Sequence, residues 1–292
     1  MLDAPQGVRA GGYDPRVSID GDTDPAQAEA ESWVPEVPEE PEARSRYDLM
    51  AEGYARWWGP VIRPGAVKVL DALAPEVAAV LDDGREPRLL DVGSGTGALA
   101  VAALERWPTL RVTGIDPSGG MLEVARRAAD ESLPAGRAER FETVVAYADE
   151  LPFEPGSFDV VLYRLVLHHV AYQQPLGPVF AEAARLLRPG GHLVSVEPGL
   201  WHPVGAALAL ANRLGVAERI HGTVDDVPLS PRALRAGAAG AGLEPEIHTV
   251  TYVWRRLPRV VQRAVGALDP LGSAPLLRNF GHHLLLLAQR PH

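Results

Sequence analysis

LLDVGSGTGALA, residues 89–100, is the stretch whose reading decides the fold. A short apolar run carrying one acid enters a glycine-dense turn, and the turn opens onto an alanine- and leucine-rich segment. That is strand, turn, helix. Gly93 and Gly95 allow a sharp reversal and let a ligand approach the backbone without a Cβ in the way. The free N–H groups at the start of the following helix present partial positive charge to that ligand. Asp91, just inside the turn, can accept hydrogen bonds from a cationic ligand group or a bound water.

Working outward, strand and helix signals alternate. RLLDV (88–92) is followed by a helix, GALAVAALERW, and a second strand, LRVTGID (110–116). SGGMLEVARRAADE reads as helix, ERFETVVAY as strand, and SFDVVLYRLV opens with a fourth strand. PVFAEAARLLR (178–188) is an amphipathic helix stopped by Pro189-Gly190-Gly191, and HLVSVEP (192–198) is the fifth strand. This rhythm specifies a parallel sheet covered on both faces. Beyond it come an apolar helix, GAALALANRLG, a polar loop, HGTVDDVP, and a helix with Ser230 at its N-cap and Pro231 at its first position. PEIHTVTYVW and HHLLLLAQR supply two last strands. The expectation is an α/β, Rossmann-like mixed sheet of seven strands, five parallel plus a terminal antiparallel pair, with helices on both faces. Ahead of the first strand, residues 43–82 read as lid helices broken at Pro60 and Pro64.

Composition narrows the function. The chain has no cysteine, so disulfides, thiolate chemistry and Cys-ligated zinc are excluded. Every apolar run is interrupted before transmembrane length, which predicts no membrane anchor; the opening residues lack the pattern of a secretory signal, and a cytoplasmic location is expected. The net charge is −10, and residues 1–45 hold eleven acids against Arg9, Arg16 and Arg44. Lys68 is the one lysine. No basic footprint suits nucleic acid. Residues 1–42, rich in Pro, Asp, Glu, Gly and Ala without an apolar period, read as a disordered or loosely attached arm; the domain proper runs over 43–292.

Gly93-x-Gly95-x-x-Ala98 also fits the dinucleotide fingerprint, so the turn alone is ambiguous. Gly97 extends it to G-x-G-x-G, Asp91 precedes the first glycine by two, and LPFEPGSFDVVLY (151–163) and LLRPGGHLVSVE (186–197) fall at the fourth and fifth strands. Together these resemble the class I S-adenosylmethionine-dependent methyltransferases, in their small-molecule branch with the ubiquinone/menaquinone-type enzymes. The resemblance covers roughly residues 44–290 and implies S-adenosylmethionine as cofactor and no metal. It assigns cofactor contacts to Asp91, Gly93, Ser94, Gly95 and Gly97, to Asp116 as the ribose ligand with Pro117, and to Met121 beside adenine or ribose. At the third strand the family's Gly-Asp-Ala is replaced by Ala146, Tyr147 and Ala148. The Ala148 N–H can still serve the adenine ring, leaving its amino group to Asp149, the Tyr147 hydroxyl or water.

Methyl transfer from a sulfonium is an in-line displacement, so alignment and water exclusion can supply most of the rate, and a base is needed only when the nucleophile must lose a proton. Tyr163 and Arg164, at the end of strand four, are placed to line the methionine end of the cofactor. His168 and His169 resemble the family's Leu-His-His-Val element; quinone-directed members often carry Arg-Asn there. His168 is a candidate base or a structural histidine, Glu197 a second candidate, and His221 and Asp225 weaker ones. Tyr54, Trp57 and Trp58 could cover the sulfonium by a cation–π contact or simply pack the lid. The insertions at 199–229 and 255–280 read as caps and suggest a bulky, largely hydrophobic or lipid-like acceptor; the latter, with Arg255, Arg256, Arg259, Arg263 and Arg278, reads as an amphipathic helix with a solvated basic face, a cap for an acidic or amphiphilic acceptor, or a homodimer face. The reading is therefore methyl transfer to O, C or N of a small molecule, in the style of secondary metabolism. The rivals are a non-methylating cyclisation catalyst or regulator on the same fold, and a peptide methyltransferase.

Overall fold

The computed structural model describes residues 46–82, 84–216, 226–254 and 257–292. The arm at 1–42, the loop residues His221 and Asp225, Arg255 and Arg256, and the side chains of Trp57 and Trp58 lie outside the described residues.

Seven strands form one sheet in the order β3-β2-β1-β4-β5-β7-β6. They are β1 (Arg88–Val92), β2 (Arg111–Asp116), β3 (Phe141–Val145), β4 (Phe158–Arg164), β5 (Leu187–Pro198), β6 (Glu244–Thr251) and β7 (His283–Gln289). β1 to β5 pair in parallel. β7 runs antiparallel to both neighbours, β5 and β6. The order reverses at β1, whose partners are β2 on one side and β4 on the other, and at such a switch point the carboxyl ends of the strands part to leave a crevice.

The alternation within strands sorts the core into two layers. Leu89, Val112, Val160, Leu162 and Val194 face α1 (Arg46–Asp82), α2 (Ala98–Arg106) and α3 (Gly119–Ser132), where Leu73, Leu104 and Ala125 are wholly enclosed. Leu90, Ile115, Val161, Tyr163 and Leu193 face the other way, onto α5 (Leu167–Gln173), α6 (Gly177–Leu186) and α8 (Pro231–Gly240) through Val179, Phe180, Leu234 and Ala238. Between these helices lie a short α4 (Ala135–Ala138), α7 (Pro203–Arg213) and α9 (Arg259–Gly266). Ser118 caps α3 and Ser230 caps α8, each hydroxyl accepting the N–H three residues on, from Met121 and Ala233.

Two expectations are corrected. Pro60 and Pro64 do not break the N-terminal segment, which runs as one helix from Arg46 to Asp82. A mid-helix proline costs about 3 kcal/mol, but this helix is pinned at both ends. Ala51 packs on Met121 and Val124, while Val69, Leu70 and Leu73 enter the main core. Pro189-Gly190-Gly191, expected to separate helix from strand, instead lies inside β5. The helix has already ended at Leu186, and the register jumps between the Phe158 and Val160 partners, Leu187 and His192. Gly190, at φ 78°, makes the kink while its N–H still donates to the Arg290 carbonyl at 2.8 Å.

Candidate active site

The turn after β1 is closed by backbone bonds across the switch point. The N–H groups of Gly93 and Ser94 both donate to the Ile115 carbonyl at 2.8 Å, and Gly95 N–H donates to Asp116 Oδ2 at 3.0 Å. Gly93 sits at φ 71°, and a Cβ there would stand 2.3 Å from Val166 Cγ2, so the position admits no side chain. Gly97 directly precedes α2, whose N-terminus has no side-chain cap. Two polar atoms in this turn, Asp91 Oδ2 and Ser94 Oγ, are buried without a hydrogen-bond partner among the described residues. Such orphans are costly, and a polar ligand that reaches them removes the cost. Burial pushes the Asp91 carboxyl up to about 7; the charge of Arg164, and the Ser94 hydroxyl that lies near it without closing a hydrogen bond to Oδ2, offset only part of the effect.

Asp116 closes β2. Besides Gly95 N–H it accepts Ser118 N–H at 2.9 Å on Oδ1, spanning Pro117. Burial raises its carboxyl above the ordinary value, against the lowering effect of these two donors. α1 is fastened over the same corner. Asp48 Oδ1 accepts the Ser118 hydroxyl at 2.6 Å and Gly120 N–H at 2.7 Å, the latter at the first turn of α3. Arg127 and Glu52 pair farther along the same contact. Met121 is buried beneath this lid with Ala51 and Val124, and Tyr54 packs against that cluster. Burial raises the Tyr54 phenol, the Arg164 guanidinium opposes the shift, and the carboxylates of Asp116 and Asp226 reinforce it. Tyr54 thus stands where the lid, the β2 and β4 ends and the cap meet.

Beyond β3, Tyr147 is exposed and forms an isolated bridge with Glu150, and Ala148 is half-buried. Asp149 accepts the Gln174 side-chain N–H at 3.1 Å. Tyr163 corrects an expectation. It is fully enclosed in the core layer beneath α6, with its hydroxyl lacking a partner among the described residues, and it lines no cleft. Strand parity is the reason: Val161 and Tyr163 share the face that α6 covers, and only the terminal Arg164 reaches the sheet edge, where its charge acts on Asp91 and Tyr54.

On the other side of the crevice, Glu197 at the end of β5 is completely buried. Its carboxylate accepts the N–H groups of Val166 (3.1 Å), Leu167 (2.9 Å) and His168 (3.3 Å), and the Ser195 hydroxyl at 3.3 Å. It therefore caps α5 from beneath. His168 Nδ1 lies 2.6 Å from Glu197 Oε2, and His168 Nε2 lies 3.2 Å from Asp226 Oδ1. Burial by itself would lower the His168 pKa, but hydrogen bonds and charge from Asp226 and Glu197 outweigh it and carry the ring to about 9. His169 stacks on His168 at a centroid separation of 4.0 Å, its Nδ1 3.9 Å from Asp226 Oδ1. Leu165, between β4 and α5, holds φ 57°, a strained value for a branched side chain. Asp48 and Asp226 were not identified from the sequence. Asp48 meets Gly120 across 72 positions, and nothing in the run Asp225-Asp226 says which acid turns toward His168.

The family model described as a methyltransferase domain matches residues 90–195. A ubiquinone/menaquinone biosynthesis C-methyltransferase of Paracoccus denitrificans is 37% identical over 154 residues, 52% of this chain and 54% of that protein. A demethylmenaquinone methyltransferase of Thermus thermophilus is 32% identical over 183 residues, 56% of this chain and 78% of that protein. The chain spans about half the length of most of the curated relatives it matches. Among solved structures, a geranyl diphosphate methyltransferase in complex with GPP and sinefungin superposes with a TM-score of 0.51 at 25% identity, covering 70% of this chain and 72% of that one.

Proposed function

Because the chain belongs to the class I S-adenosylmethionine-dependent methyltransferases, we propose that it methylates an O, C or N atom of a small, bulky hydrophobic molecule. The observation that carries this reading is the pair of buried orphan atoms, Asp91 Oδ2 and Ser94 Oγ, at the mouth of the glycine turn. They fit a ligand that brings its own ammonium and hydroxyl donors. When bound, S-adenosylmethionine supplies an electrophilic methyl group on a sulfonium. In this reading Asp91 meets the amino group of the cofactor's methionine part. Asp116 keeps its two backbone bonds and offers its remaining lone pairs to the ribose hydroxyls, since each carboxylate oxygen accepts more than one bond. The α1 lid, fastened through Asp48, lays Tyr54 over the crevice and excludes water.

His168 is not the base in this account. Both ring nitrogens are engaged by carboxylates, and at neutral pH the ring holds its proton. Glu197, wholly buried, touches no acceptor either. The two act together as a strut: Glu197 fixes the start of α5, and His168 passes that constraint to Asp226 on the cap. Alignment of the acceptor is then the main source of rate.

The hydrophobic acceptor is supported by apolar side chains that the cap leaves exposed, Leu210 and Leu214 around the end of α7 and Val260, Leu276 and Phe280 in the second insertion. Of the relatives' names, those for ubiquinone/menaquinone biosynthesis, demethylmenaquinone and geranyl diphosphate favour a hydrophobic acceptor, and that for trans-aconitate does not. The test is to incubate the protein with methyl-labelled cofactor and a panel of prenylated, aromatic and fatty acceptors. Label transfer with stoichiometric S-adenosylhomocysteine release supports the reading. Turnover of an acceptor without S-adenosylhomocysteine release would move the protein to the non-methylating alternative, and transfer confined to peptides would refute the acceptor class.

A further inference from the structure

We propose that His168, His169 and Asp226 form a binding site for one divalent transition-metal ion of the zinc type. One ligand atom from each lies within 4.8 Å of the others, and the nitrogens that face the Asp226 carboxylate are His168 Nε2 and His169 Nδ1. Metal–nitrogen and metal–oxygen bonds of about 2.0–2.2 Å in tetrahedral geometry place neighbouring ligand atoms roughly 3.4 Å apart. The His168–Asp226 separation of 3.2 Å already meets that spacing, and the His169–Asp226 separation of 3.9 Å needs only a small rotation of an imidazole on α5.

The support around the ligands is the second, independent observation. A metal-binding imidazole commonly donates its other N–H to a carboxylate, which fixes ring orientation and strengthens the ligand. His168 Nδ1 faces Glu197 at 2.6 Å, and Glu197 is itself held by three backbone N–H groups and the Ser195 hydroxyl. His168 is thus oriented with Nε2 toward Asp226 before any ion arrives, and the ion takes the place of the Nε2 proton, which is released to solvent on binding. An entry path exists, because the side chains of His169 and Asp226 are 31% and 34% exposed whereas that of His168 is 4% exposed. Two imidazoles and one carboxylate select a borderline ion such as Zn²⁺ or Co²⁺ over Mg²⁺ or Ca²⁺, which favour all-oxygen shells. Three protein ligands also leave a coordination position open.

That open position bears on methyl transfer. An acceptor hydroxyl bound there would be made more acidic by the ion and would release its proton to solvent at the partly exposed Asp226 side of the site, supplying the activation that the strut of His168 and Glu197 does not. This last step rests on the proposed methyltransferase reading; the metal site itself does not.

The experiment uses the full chain, stripped with a chelator and titrated with Co²⁺ while visible d–d absorption is recorded, without cofactor or acceptor. One equivalent should bind with a coordination spectrum, and Zn²⁺ should displace it. Excess Mg²⁺ should not. His169→Gln and Asp226→Asn should each weaken Co²⁺ binding more than tenfold; His169→Gln should leave the thermal midpoint of the metal-free protein near that of the parent, whereas Asp226→Asn also removes the carboxylate that faces the buried His168 and should lower it. Absence of stoichiometric uptake, or uptake indifferent to both substitutions, overturns the metal site. Neither result touches methyl transfer, which is scored separately by S-adenosylhomocysteine release.

Discussion

Asp91→Asn should stabilise the free protein and cripple cofactor binding, a combination that a purely structural carboxylate would not give. Asp91 is 2% exposed, its Oδ2 is unpartnered among the described residues, and its pKa stands at about 7 instead of 3.8. The folded state therefore binds a proton more tightly than the unfolded chain, and stability falls as pH rises from about 4 to about 7. At 1.36 kcal/mol per unit the cost above pH 7 is on the order of 4 kcal/mol. A neutral amide avoids it but buries an N–H₂ of its own, at about 1–3 kcal/mol, so a gain of roughly 1–3 kcal/mol remains at pH 8. Cofactor binding tells the other half. The α-ammonium needs the carboxylate ionised, so affinity should fall about tenfold per unit below pH 7; it should fall again above the ligand's own amino pKa of about 8. Asp91→Asn should lose more than tenfold in affinity at pH 7.5 and lose the acid limb. Denaturant melts of the free protein and calorimetric titration with S-adenosylhomocysteine from pH 5.5 to 9 measure both. An Asn variant that is less stable at pH 8 and binds as tightly as the parent would refute the assignment of Asp91.

Further outcomes follow from the same geometry. Asp116→Ala removes the acceptor for Gly95 and Ser118 N–H, so it should lower the stability of the free protein by about 1–3 kcal/mol as well as weaken cofactor binding; denaturant melts that show no loss would mean the turn closes without it. Burial and the nearby His202 lower His282 to about 4. The unfolded chain then takes up a proton that the folded state refuses, and stability should decline as pH falls from about 6.5 to about 4 by on the order of 3 kcal/mol; His282→Gln should flatten that slope in chemical melts. Leu165→Gly should relieve the positive φ and leave stability equal or up to about 1 kcal/mol higher, whereas a loss of 2 kcal/mol would show that the side chain's packing outweighs the strain. Leu73→Ala, in the lid helix at 0% exposure, should cost about 2–5 kcal/mol in the same melts.

The elements that the sequence made legible are those set by local pattern. The β1 turn, the cap at Ser230 and the alternation of β1 through β5 all follow from residues within one turn or strand of each other. What escaped depends on distance or on parity. α1 continues through Pro60 and Pro64 because its two ends pack on different parts of the domain. Pro189-Gly190-Gly191 stays in β5 because the segment after β7, around Arg290, comes back to pair with it. Tyr163 faces α6 by the parity of β4, which a sequence run of buried residues on both faces does not reveal. Histidine at 168 and glutamate at 197 stood out as chemistry-bearing residues. That they bond to each other, and that Asp226 completes the line, depended on where the cap insertion descends on the sheet.

The central claim is that the crevice at the β1 switch point is built for S-adenosylmethionine. Calorimetric titration of the full chain with S-adenosylmethionine, S-adenosylhomocysteine and NAD under identical conditions at pH 7.5 tests it most directly. One-to-one binding of both adenosyl ligands, lost together in Asp91→Asn, with no heat from NAD, is the expected result. Saturable NAD binding with no response to S-adenosylmethionine would contradict it.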